Sequence, residues 1–244
     1  MLYMTREERL IPLEKMSNTR DLGGYETQGG QYSKSHKYIR AASPTNATQA
    51  DLQDLKNYGI KAVIDLRSDF EKEHQVNPFK DDEDIDFYEV NLFDSTNASI
   101  VPEEVKQYKD LGGVYIYLLE SMKYKFKELF EIFLKYPDEG VMFHCSAGKD
   151  RTGVTAGLLL DLIGCHEYDI VKDYSESYEN NMDMNQELSK MMDEDASSYL
   201  KSSPRYVMEL LDYLREHYGS AKEYLVACGL SNDDIEQLIE TFII

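Results

Sequence analysis

Residues 141–164 read VMFHCSAGKDRTGVTAGLLLDLIG. The first five make an apolar run of strand length, and from Thr152 onward apolar residues recur at helical spacing. Between them SAGKDR is small, polar and charged. Strand, glycine-bearing loop and helix in that order open the loop at the carboxyl end of the strand, against the positive end of the helix.

Outward from this unit the same alternation recurs. TQADLQDLKNYG (48–59) offers a capping threonine, apolar residues at helical spacing and Gly59 as a stop. IKAVIDLR (60–67) is short, rich in β-branched residues and bounded by that glycine and a polar turn, which predicts a strand buried on both faces. DFYEVNL gives a second strand ending near Leu92, YETQGGQYS (25–33) a hairpin turn at Gly29-Gly30, and residues 38–42 a short extended piece. Residues 114–136 read as one long helix, and further helical patterns cover 167–180, 204–217 and 232–244. The expectation is an α/β fold with a central, mostly parallel sheet flanked by helices and a helical C-terminal part over 167–244, in one domain spanning 1–244. Residues 93–113 are long and irregular for a connection, a candidate lid or insertion.

The bulk chemistry narrows the function classes. A formal charge of −20, from 46 acidic and 26 basic residues, argues against nucleic-acid partners and against stable association with anionic membranes, since both need a positive field. Cys145, Cys165 and Cys228 show no CxxC or scaffold spacing, and the last two fall on apolar helical patterns as core residues. With no apolar run of signal-peptide length at the start, this points to a reduced, cytoplasmic protein, leaving export by another route open. Neither HExxH nor a carboxylate cluster at ligand spacing occurs, so no metal and no other cofactor is expected.

An anion site on so acidic a chain must be built from local cations and backbone N–H groups, and the opening loop supplies both. A cysteine with an arginine six residues on arises by chance about 0.1 times in such a composition; requiring His144 and Gly148 as well lowers this to roughly 10⁻⁴. N–H groups from Ser146 to Arg151, turning into a helix, can converge on a dianion, and the small Ser146, Ala147 and Gly148 let the backbone come close. Arg151 can grip two phosphate oxygens through its planar fork and follow them into the transition state. The same donors favour a thiolate at Cys145. Such a thiolate would attack phosphorus in line, giving a cysteinyl-phosphate that water cleaves, with no metal required.

HCSAGKDRTG (144–153) resembles the signature loop of the protein tyrosine phosphatase superfamily, and its Lys149-Asp150-Arg151 ending is similar to atypical bacterial tyrosine and dual-specificity phosphatases, several of which also act on phosphoinositides. NTRDLGGY (18–25), YIRAASP (38–44), GIKAVIDLRSDFE (59–71) and GLSNDDIEQLIETF (229–242) sit in that family's order. The resemblance implies a cysteine-phosphatase-like fold and a phosphotyrosine protein, or another phosphomonoester, as substrate. It implies Cys145 as nucleophile, Ser146, Ala147, Gly148 and Lys149 as cradle, and Arg151 as phosphate ligand. Two residues compete for general acid. Asp150 resembles the in-loop acid of myotubularin-like lipid phosphatases, and Asp94 the mobile acid of ordinary dual-specificity phosphatases; Asp150 is preferred because Asp94 is 51 residues from the cysteine. In YIRAASP the family commonly has Arg-Ser after the tyrosine, so Arg40 is assigned no role.

Supporting residues keep two readings each. His144 is either a packed core histidine or the residue that orders the loop. Asp65 and Arg67 form a salt-bridge support in preference to touching substrate. Arg20 either supports the site or contacts phosphate. Lys149 is a solvated charge or a second cation beside the cradle. Two rivals keep the same loop: a phosphate-recognising module without turnover, and rhodanese-like sulfur transfer.

Overall fold

Among the described residues five strands form one sheet: β1 (Arg20–Asp21), β2 (Tyr38–Ala41), β3 (Ile60–Asp65), β4 (Asp86–Glu89) and β5 (Gly140–His144), in the spatial order β1-β2-β5-β3-β4. Only β1 runs antiparallel to its neighbour; β2, β5, β3 and β4 are parallel. The computed structural model describes residues 3–93, 110–190 and 200–244.

The central strands are buried along nearly their whole length because both faces are covered, Lys61 on β3 being the exposed exception. On β5, Val141 and Phe143 point into the larger core, and Met142 between them points into a smaller one with Ile39, Leu52, Leu55, Val63 and Phe79. Helices α1 (Arg6–Arg9), α2 (Gln49–Tyr58) and α3 (Asp69–His74) come from the first half. As the sequence predicts, α2 is capped by Thr48, which exchanges hydrogen bonds with Asp51, and ends at Gly59 with φ of 103°.

The larger core is closed by α4 (Leu111–Ser121), α5 (Lys123–Leu134), α6 (Asp150–Leu162), α7 (Glu167–Asn180), α9 (Pro204–His217), α10 (Ala221–Cys228) and α11 (Asn232–Phe242), while α8 (Met182–Ser189) packs on α7 outside it. The expected single helix over 114–136 is two, broken at Met122. Each half follows a different partner, α4 lying on α9 and α5 on α10 and α11. The predicted strand ending near Leu92 is regular only to Glu89, although Val90 and Leu92 still donate to Asp65 and Leu66 carbonyls. The hairpin closes as expected, with Gly30 at φ of 79° and Glu26 bridging Tyr32. Of the candidate lid, residues 111–113 belong to α4, and 94–109 lie outside the described residues. No helix among the described residues is long and apolar enough to cross a membrane.

Candidate active site

Strand register brings the site residues to one edge. Ala41, His144, Asp65 and Glu89 align across β2, β5, β3 and β4 at their carboxyl ends. β5 is the innermost strand, with β2 on one side and β3 on the other, so its exit lies where chain order reverses, the usual place for a ligand in an open α/β sheet. Cys145, 2% exposed, sits at that exit, and the loop turns at once into α6.

The shape of the loop is set from behind, through its carbonyls. The Asn18 amide donates to the carbonyls of Ala147 (2.9 Å) and Gly148 (3.0 Å), Asn181 to Ala147 (2.8 Å), Arg40 to Gly148 (2.8 Å), and the Ser43 N–H to Ser146 (3.0 Å). In a trans peptide the N–H points opposite to the C=O. Binding the carbonyls of 146, 147 and 148 on the outside therefore turns the N–H groups of Ala147, Gly148 and Lys149 inward, toward one space beside Cys145. Gly148 is required twice over: its φ is 62°, and a Cβ there would lie 2.3 Å from the Ala41 carbonyl oxygen.

Arg40, to which the sequence assigned nothing, is thus in direct contact with the loop. It is fully buried beside Arg20, and Asp173 of α7 bonds both. Burial opposes a charge on Asp173, but Arg20 and Arg40 outweigh it and hold the carboxyl well below the usual range. Arg20 faces inward, its other donors used by Asn18, Ser177 and the Asp173 carbonyl.

Arg151 projects the other way and is held by Glu71 of α3, Nη1 at 2.6 Å and Nη2 at 2.8 Å from the carboxylate. Glu71 also accepts from the Ser146 hydroxyl and from the Ser68 N–H that begins its own helix. Burial resists the charge on Glu71, yet these donors, Arg151 first, bring its pKa down to about 2. A guanidinium has two bidentate faces, and Glu71 uses the end-on one, Nη1 with Nη2. The side-on face, Nε with the second hydrogen of Nη2, is not used by Glu71. Sequence reasoning missed Glu71; its visible signal was the Ser68–Glu71 capping box directly after a strand of the catalytic edge.

His144 is buried, and Asn77 fixes its tautomer. The Asn77 NH₂ gives one hydrogen to Asp65 (3.0 Å) and one to His144 Nε2 (2.8 Å), so Nδ1 carries the ring proton and donates to the Cys145 carbonyl (3.1 Å). Burial pushes the His144 pKa down, so it stays neutral. Arg67 and Asp65 form a fully buried bidentate pair, with Arg67 also on Thr45. All three are fully buried.

Asp150 opens α6, its side chain 35% exposed. Lys149 and Tyr115 both bond its Oδ1. Lys149 is itself buried and directed at that carboxylate, unlike a solvated loop charge. The competing candidate, Asp94, lies outside the described residues.

The chain matches the tyrosine phosphatase family over residues 11–244. A tyrosine-protein phosphatase of Nostoc commune is 30% identical over 212 residues, covering 82% of this chain and 72% of that protein. The crystal structure of TpbA from P. aeruginosa overlays with a TM-score of 0.38 at 14% identity, covering 82% of this chain and 91% of TpbA.

Proposed function

Because this chain belongs to the tyrosine phosphatase family and is a protein tyrosine phosphatase, we propose that it hydrolyses phosphotyrosine in protein substrates through a cysteinyl-phosphate on Cys145. The observation that carries this is the set of outward-bound carbonyls at 146–148, which aims the N–H groups of 147–149 at one point while Glu71 leaves the side-on face of Arg151 for phosphate. The Cys145 sulfur attacks phosphorus in line as the bond to the tyrosine oxygen breaks. Asp150 gives that oxygen its proton. Water then attacks the cysteinyl-phosphate, Asp150 takes a proton from it, and phosphate and the free thiolate are regenerated. The spreading equatorial charge falls on the inward N–H groups and Arg151.

Substrate breadth extends this reading to phosphoserine, phosphothreonine and phosphoinositide, whose phosphomonoesters present the same dianion. Lys149, beside the cradle, suits substrates bearing more than one phosphate. A panel of phosphotyrosine peptides, phosphoserine peptides and phosphoinositides, with phosphate release as readout, tests it. Phosphotyrosine turned over fastest, and Cys145→Ser inert, are the expected results. Full activity in Cys145→Ser would overturn the mechanism, and exclusive lipid turnover the substrate class.

A further inference from the structure

Tyr115 and Tyr174 lie outside the signature loop, both 1% exposed, one on α4 and one on α7. Their hydroxyls are 2.7 Å apart, and that of Tyr115 meets Asp150 Oδ1. Lys149 Nζ, which can only donate, lies 2.8 Å from the same oxygen. Oδ1 thus serves as the acceptor of both hydrogen bonds. It follows that the single proton of Tyr115 is committed to Asp150, and that the contact between the tyrosines uses the proton of Tyr174. The chain of donors has one direction: Tyr174 to Tyr115 to Asp150.

Packing supports the same arrangement. The two rings meet edge to face, centroids 6.0 Å apart. Gly153 gives Tyr174 its place: a Cβ there would lie 3.0 Å from the ring, on the turn of helix that begins with Asp150. Burial and then the Asp150 charge raise the pKa of Tyr115 well above that of a free phenol, so it remains a donor at any working pH.

We propose that Tyr115, held by Tyr174, is a positioning residue for the leaving-group acid: it pins Asp150 Oδ1 so that Oδ2 is the oxygen that carries and delivers the proton. This rests on the assignment of Asp150 as general acid. As the P–O bond breaks, the Oδ2 proton passes to the leaving oxygen, and the electron pair left on the carboxylate is received at Oδ1 by hydrogen bonds from Tyr115 and Lys149. The tyrosines gain and lose no proton. Their contribution is orientation and charge acceptance, greatest for leaving groups that need a full proton.

The test compares kcat/KM for phenyl phosphate and 4-nitrophenyl phosphate in the unmodified protein, Tyr115→Phe, Tyr174→Phe, Asp150→Asn and the Asp150→Asn/Tyr115→Phe pair. Tyr115→Phe is expected to slow phenyl phosphate about tenfold and leave 4-nitrophenyl phosphate within about twofold, with Tyr174→Phe showing the same selectivity at about threefold. In the Asp150→Asn background Tyr115→Phe is expected to change either rate by less than about twofold, since residues acting as one unit are not additive. Equal slowing of both substrates, or an undiminished effect in the Asp150→Asn background, would reduce Tyr115 to a packing residue and overturn the proposal. If Asp150→Asn is itself indifferent to the leaving group, the acid assignment fails, a separate result that removes the positioning role with it.

Discussion

The two sides of the loop at 145–151 are built from different chemistry. Behind it, Asn18, Arg40 and Asn181 are 3%, 0% and 2% exposed, and they bind carbonyl oxygens. In front, the side chains of Arg151, Glu71 and Asp150 are 15%, 13% and 35% exposed, and they pair charge with charge. Water competes poorly behind the loop, so a few directed hydrogen bonds fix its backbone permanently. At the rim, solvent and substrate can reach the ion pairs, which suits groups that must change partners during a reaction. Shape is stored on one side and chemistry on the other.

Substitutions on the two sides should therefore fail differently. At the rim, Arg151→Lys removes the fork but keeps the charge; kcat/KM for an aryl phosphate is expected to fall about 10³-fold while the melting temperature changes little. A large stability loss would show that Arg151 belongs to the scaffold. Behind the loop, Asp173→Asn leaves Arg20 and Arg40 buried without their counter-charge, and denaturant unfolding should report a loss of about 3 kcal/mol. Activity should decline with it, as the Gly148 carbonyl loses its firm partner. Unchanged stability would contradict the division.

Glu71 stands at the rim but acts through Arg151, and its effect should be the smallest. Glu71→Gln keeps shape and loses charge, so Arg151 is less well held and KM is expected to rise about tenfold with kcat less affected. Its folded pKa, about 2, lies below the ordinary 4.5. The stability it contributes is complete above pH 4.5 and is lost as pH falls toward 2. Acid unfolding of Glu71→Gln across that window should be shallower than that of the unmodified protein, and an identical slope would remove Glu71 from the account.

The same division explains what could be read from the sequence alone. The strand, loop and helix around Cys145 are contiguous, and α7 and α9 carry their own periodicity, so local pattern was sufficient; the helices over 167–180 and 204–217 fall where expected. The break at Met122 was hidden because nothing in the local sequence there is a helix breaker, and it is contact with α9, α10 and α11 that bends the path. Partners of the loop were hidden for a related reason. Glu71 precedes Arg151 by 80 residues, and Asp173 follows Arg40 by 133. Only strand register and helix packing bring such pairs together, and neither leaves a periodic trace. Arg40 illustrates the limit: a strand residue with an uncommon neighbour gave no sign that it holds the Gly148 carbonyl.

The backbone fixed from behind presents Cys145 to phosphorus as the nucleophile. Rapid acid quench during turnover of 4-nitrophenyl phosphate, followed by mass spectrometry of the digested protein, tests this most directly. The expected result is a phosphoryl group on the peptide containing Cys145, absent in Cys145→Ser. A phosphoryl group trapped on any other residue, or turnover that persists in Cys145→Ser, would contradict it.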